Sequence, residues 1–242
     1  MFPEPAAARF PPGMGRTCHL LLQFDGSRFL GWQRQRAGRT VQGEVERVLE
    51  RLTGARVPVH GAGRTDAGVH ALGMSASCVV PERWTPEALH RALNALLPAD
   101  CWIAEVREAA PGFHARKCAV ERRYHYLVGT SPAAASPFRR PYEWAFGRPV
   151  DGGRLAEAAA ALDGEHDFAA LAVHTGERPD TRCTVRMTRW EPRGEHEGFR
   201  FEVAANRFLH HMVRILVGTM VDIGLGRRPV EDLAALLART PG

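Results

Sequence analysis

Between Thr17 and Arg107 the hydrophobic period switches back and forth between strand and helix in an order that admits few folds. Cys18–Phe24 alternates as a strand. Val41, Val45, Val48, Leu49 and Leu52 then recur at helical spacing behind Thr40, a residue type that caps helix starts. Strand-like stretches follow near Arg56–His60 and Met74–Val80. Thr85-Pro86-Glu87 opens a second helix with a cap, a proline at the first helical position and an early acid, and this helix runs to about Leu97 before Pro98. Trp102–Arg107 closes the unit. Strand, helix, strand, strand, helix, strand is the order of a split βαβ, ferredoxin-like domain, so the fold class is α+β.

The second half repeats the order without repeating the sequence: strand Arg123–Val128, helix Arg154–Leu162, strands Val185–Trp190 and Phe199–Ala204, helix Phe208–Ile223, and a further helix after Pro229. The last strand that the order calls for is missing before the chain stops at Thr240-Pro241-Gly242. The expected organisation is a disordered tail over residues 1–15, an N-terminal α+β half over 16–110 and a C-terminal half over 111–242. The tail carries Pro3, Pro5, Pro11 and Pro12 and no apolar run, which fits neither a signal peptide nor an anchor, and Met14 is a candidate start.

Between the second and third strands lies Gly61-Ala62-Gly63-Arg64-Thr65-Asp66-Ala67-Gly68-Val69-His70-Ala71. Here Gly61, Gly63 and Gly68 surround a single carboxylate, and glycine lets backbone turn sharply or approach a ligand closely. Arg64, two residues before Asp66, is a cation of the kind that keeps a covered carboxylate ionised, and an ionised, shielded carboxylate is a nucleophile. A Rossmann fingerprint requires glycine where Asp66 stands, and the Gly-Lys-Ser/Thr of a phosphate loop is absent.

Gly63-Arg64-Thr65-Asp66-Ala67-Gly68-Val69-His70 resembles the signature of the tRNA pseudouridine synthase A family. Further stretches agree in order: Phe24-Asp25-Gly26-Ser27, Gly31-Trp32-Gln33-Arg34-Gln35, Phe113-His114-Ala115-Arg116, Arg122-Arg123-Tyr124-His125-Tyr126, His166-Asp167-Phe168 and Asn206 through Arg214. The resemblance runs from about Thr17 to Leu237. It implies two ferredoxin-like halves whose antiparallel sheets meet at a central cleft. It also implies an isomerase that converts uridine to pseudouridine in the anticodon stem-loop of tRNA, at about positions 38 to 40. By the same resemblance Asp66 is the catalytic nucleophile, Tyr124 stacks on the target uracil and assists proton removal, Arg214 pairs with the catalytic carboxylate, and Arg64 holds RNA. Family members have a further C-terminal strand and act as homodimers with tRNA across both subunits.

The rest of the composition bears on the partner. Net charge is +5, and Lys117 is the only lysine, so the positive charge is almost all guanidinium, which binds phosphate bidentately and stacks on bases. Basic composition alone decides nothing, because an Arg- and Ala-rich chain is also what a GC-rich genome encodes. Arg28, Arg34, Arg36, Arg116, Arg122 and Arg123 are the candidate phosphate contacts, with His210 beside them. Tyr126, on the same strand face as Tyr124, reads as core. Asn206, His210 and Arg214 at spacings of four form a polar stripe on an otherwise apolar helix, and such a stripe wants partners. His210 and His211, adjacent on a helix, would diverge, and with no third ligand evident the sequence offers no metal site. Cys18, Cys78, Cys101, Cys118 and Cys183 form an odd, scattered set that fits a reduced, cytoplasmic protein. Neither DNA nor a membrane is an expected partner. Pseudouridine formation needs no cofactor, and one motif carboxylate argues against glycoside hydrolysis, which uses two. A tRNA-binding or chaperone protein without catalysis, and a paralogue acting on another RNA, are the alternatives. Met74, where the family commonly has glutamine, leaves room for the latter.

Overall fold

The computed structural model describes residues 15–173, 180–194 and 197–238. The expected tail lies outside these residues except for Gly15, where the first strand begins, and so do Thr240, Pro241 and Gly242. The chain divides into two compact units, Met1–Ala119 and Val120–Gly242.

The first unit follows the expected order. Strand β1 (Gly15–Phe24) leads to helix α1 (Val41–Thr53), β2 (His60–Gly61), β3 (Ala71–Pro81), α2 (Pro86–Leu96) and β4 (Cys101–Glu108). The sheet order is β2-β3-β1-β4, with every neighbouring pair antiparallel, which is the split βαβ arrangement. Thr40 caps α1 by accepting from Gly43 N–H, and Gly54 ends it in the left-handed conformation. Thr85 caps α2 by accepting from Ala88 N–H. The apolar faces of both helices cover one side of the sheet, burying Val45, Val48, Leu49, Leu89 and Leu93 against Leu20, Leu22 and Ile103. Each such side chain stabilises the fold by roughly 1.5–3 kcal/mol. The second strand is shorter than the expected Arg56–His60. Val57 and Val59 are buried, but only His60 and Gly61 pair with β3.

On the other side of this sheet, a short helix α3 (Ala115–Cys118) is docked by the residues before it. Phe113 meets His19 edge-on, the His114 ring stacks on His60 at 4.6 Å, and Ala115 N–H donates to the buried Ser77 hydroxyl. Burial lowers the pKa of both His19 and His114, so neutral rings are favoured under α3.

The second unit holds β5 (Arg122–Gly129), β6 (Trp144–Ala145), α4 (Gly152–Ala160), β7 (Gly164–Asp167), β8 (Arg182–Arg193), β9 (Gly198–Ala205), α5 (Met212–Gly224) and α6 (Glu231–Ala238). Its sheet runs β6-β5-β9-β8-β7. The central order β5-β9-β8 copies β1-β3-β2 of the first unit. Beside β5, where the first unit has β4 beside β1, lies the two-residue β6, parallel and paired only at Val128 and Gly129. Helices α4, α5 and α6 cover a core built on Phe168, Phe201, Leu216 and Met220. The strands β6 and β7 were not expected, because two to four residues carry too little alternation to be read. All five cysteines are free thiols. Among the described residues no helix is long and apolar enough to cross a membrane.

Candidate active site

In the first unit the stretch from Ala62 to His70 is fixed by backbone on both flanks. Ala62 N–H donates to Ser75 C=O at 2.7 Å. Thr65 C=O accepts from Trp32 N–H at 3.0 Å, Gly68 N–H donates to Phe29 C=O at 3.3 Å, and Val69 N–H closes a turn onto Asp66 C=O at 3.2 Å. Asp66 therefore sits at the head of a tight turn whose neighbours on either side are tied to residues 29–32. The His70 ring completes the clamp. Gly26 N–H and an Asp25 carboxylate oxygen both lie 3.1 Å from its Nδ1. Unprotonated, that nitrogen accepts from Gly26; protonated, it donates to Asp25.

Two glycines outside the loop make the clamp possible. Gly31 has φ +92, and a Cβ there would stand 2.5 Å from Thr65 O and 3.0 Å from Asp66 C. A Cβ on Gly26 would overlap the Val69 carbonyl. Of the loop's own glycines, Gly61 lies against the Trp32 ring, while Gly63 and Gly68 meet nothing within 4 Å. The close approach expected of the loop glycines is thus made chiefly by their partners. The quoted stretches around Phe24–Ser27 and Gly31–Trp32 prove to be one device with the Asp66 loop.

Asp66 is partly exposed, Thr65 is buried and Arg64 is exposed. Arg64 makes no ion pair with Asp66 among the described residues. Arg28 and Arg36 are exposed on the same unit, and Arg34 reaches the buried Glu46 at 3.5 Å. Arg39, a residue the sequence reading passed over, anchors the clamp. Its guanidinium lies 4.2 Å over the Phe29 ring and holds Asp100 through two hydrogen bonds of 2.6 Å. Those bonds, outweighing the opposing effect of burial, pull the Asp100 carboxyl below its ordinary value. Arg116 is exposed on α3.

In the second unit Tyr124 stands on β5 opposite Val203, its ring edge-on to Phe208 at 5.0 Å. Tyr126, two residues on, packs against the same core, and burial raises its phenol while Arg214 pulls it back. The core reading of Tyr126 fits this packing. Arg214 is exposed on the first turns of α5. Arg123 is shared between Glu121 and Glu202, at 3.3 and 3.5 Å, and Arg122 donates to Asn206 C=O at 2.6 Å. Arg122 thereby ties the start of β5 to the residue that follows β9.

The polar stripe at spacings of four is corrected by the structure. Helix α5 begins at Met212 and not at Phe208, so Asn206 and His210 precede it. Asn206 follows the last residue of β9, and its side-chain oxygen accepts from Thr184 N–H at 2.9 Å. His211 occupies the helix N-cap with φ +58, a left-handed conformation that few residues other than glycine adopt. That turn brings the rings of His210 and His211 to 4.0 Å, so they do not diverge as they would on a helix.

The model for tRNA pseudouridine synthase matches residues 21–116 and 158–241. These stretches contain Asp66 and Arg214; Tyr124 falls between them. The tRNA pseudouridine synthase A of Chloroflexus aurantiacus is 43% identical over 228 residues, covering 92% of this chain and 81% of that protein. Its counterpart from Solidesulfovibrio magneticus is 44% identical over 237 residues, covering 92% and 85%. That of Chlorobaculum tepidum is 42% identical over 223 residues, covering 92% and 88%. With a family match over most of its length and relatives above 40% identity, the chain belongs to the tRNA pseudouridine synthase family.

Proposed function

We propose that this protein isomerises uridine to pseudouridine in the anticodon stem-loop of tRNA, with Asp66 as the nucleophile. The observation that carries the reading is the clamp on the Asp66 turn: four backbone hydrogen bonds and two glycine contacts hold one partly exposed carboxylate at a set position. Positioning of this kind supplies much of an enzyme's rate when a single group must meet a single carbon.

The reaction breaks the N1–C1′ bond, turns the base and joins C5 to C1′; a proton leaves C5 and one is taken up at N1. Substrate and product have the same composition, so the stoichiometry asks for no oxidant, group donor or cofactor. The Asp66 carboxylate acts at the sugar, by attack on C1′ or by removing the 2′ hydrogen on the way to a glycal. Tyr124 offers the extruded uracil an aromatic face in place of its lost stacking. Arg214 supplies the positive charge that an ionised nucleophile requires. Arg64, Arg28, Arg34, Arg116, Arg123 and His210 contact the RNA. We further propose a cytoplasmic homodimer. Incubating the full chain with unmodified tRNA and mapping pseudouridine by carbodiimide-dependent stops in primer extension tests the reading. Stops confined to the anticodon stem-loop are expected, and a tRNA without new stops would overturn it.

A further inference from the structure

We propose that residues 137–148 of the second unit form an additional RNA-contact surface, a stacking platform for unpaired nucleotides of the tRNA; this rests on the reading of tRNA as substrate. Three large aromatic residues are exposed within seven positions: Phe138 is 88% exposed, Tyr142 54% and Trp144 37%. Trp144, Phe146 and Arg148, at spacings of two, contact one another in series. Trp144 meets Phe146 edge-on at 5.0 Å, and the Arg148 guanidinium lies 4.9 Å from the Phe146 ring centre.

The platform is built to hold its shape. Phe146 and Gly147 both donate backbone N–H groups to Gly129 C=O, at 3.0 and 2.9 Å. Beneath the surface, the buried Glu143 accepts from Arg139 at 2.6 Å and Arg193 at 2.5 Å. Burial alone would raise the Glu143 carboxyl, but the two guanidiniums outweigh it and keep it ionised. With Glu143 so occupied, Arg140 and Arg148 are exposed and make no ion pair among the described residues.

The charge balance selects the partner, since aromatic residues and arginine are common to protein interfaces and RNA sites alike. Residues 137–148 carry Arg139, Arg140 and Arg148 against the single acid Glu143, and an excess of guanidiniums suits a polyanion. Aromatic faces beside guanidiniums suit unpaired bases joined by phosphates, because every base has a face to stack and every linkage a negative charge.

The test measures binding of the full chain to an unmodified tRNA transcript across a salt series, turnover at saturating tRNA, and oligomeric state by light scattering. Phe138→Ala with Trp144→Ala should weaken binding about tenfold at every salt concentration, leaving kcat and the salt slope unchanged, and Trp144→Phe should retain most of the wild-type affinity. Arg140→Ala should flatten the log–log salt dependence by about 0.7–0.9. Unchanged affinity in the double aromatic variant would overturn the proposal. A dimer falling to monomers with affinity intact would make the surface a protein interface instead. Failure of the wild type to bind tRNA would remove the substrate reading itself.

Discussion

The loop from Ala62 to His70 carries the proposed nucleophile and the stretch from Asn206 to His211 the proposed RNA contact His210, but they are held in different ways. In the first, backbone N–H and C=O groups meet backbone, and glycines at 26 and 31 remove the side chains that would keep the two strands of chain apart. In the second, backbone bonds from Asn206 N–H to Thr184 C=O, from Val173 N–H to His210 C=O and from Met212 N–H to Leu209 C=O are joined by an asparagine side chain and one left-handed histidine. A clamp closed on glycines tolerates no added atom at the contact, whereas a turn that relies partly on a side chain fails by degrees. The difference sets where substitutions will abolish the site and where they will only loosen it.

The largest effect should come from Gly31→Ala, which combines an unfavourable φ with overlap on Thr65 O. We expect on the order of 3 kcal/mol lost in urea unfolding and almost no turnover. A Gly31→Ala protein of wild-type stability would break the comparison from the clamped side. Next, Asn206→Ala strips the acceptor from Thr184 N–H and should cost about 1–2 kcal/mol, with turnover reduced but measurable. A loss as complete as that at Gly31 would show that the turn, too, is an all-or-none contact.

Acid sharpens the contrast further. Because Arg39 holds the Asp100 carboxyl below its unfolded value, this pair contributes stability that is present above the unfolded value. The contribution is lost as pH falls through the folded one. The segment it anchors carries Phe29, whose carbonyl accepts from Gly68 in the loop. Stability measured across the acidic range should therefore fall in wild type and fall less in Arg39→Met; identical profiles would remove Arg39 from the clamp. Smallest of all, His211→Gly relieves a left-handed side chain but frees the unfolded backbone, and the two effects nearly cancel. Its stability should stay within about 1 kcal/mol of wild type, and a large loss would mean that the His211 ring itself holds the turn.

The same difference explains what could be read from the chain. The strand and helix order of the first unit, both helix caps and the candidate nucleophile were legible, since periodicity, Thr40, Thr85 and the loop glycines each act locally. The clamp was legible only as separate stretches, because the contact between Gly31 and Thr65 depends on tertiary approach. The expected helix starts four residues before α5: Leu209, Met212, Val213 and Leu216 keep a helical period across a turn that the backbone breaks at His211. Apolar spacing reports which side chains face the core and not the φ of the residue between them. Arg39 was missed among many arginines, for nothing in sequence distinguishes a guanidinium held by Asp100 from one left in solvent.

The most direct test of the account is tritium release from C5-tritiated uridine in unmodified tRNA, comparing the wild type with Asp66→Asn, a change of charge with almost no change of shape. Release by the wild type alone, with tRNA affinity kept in the variant, is the predicted result. Equal release by Asp66→Asn would contradict it, leaving the clamped turn without the chemistry assigned to it.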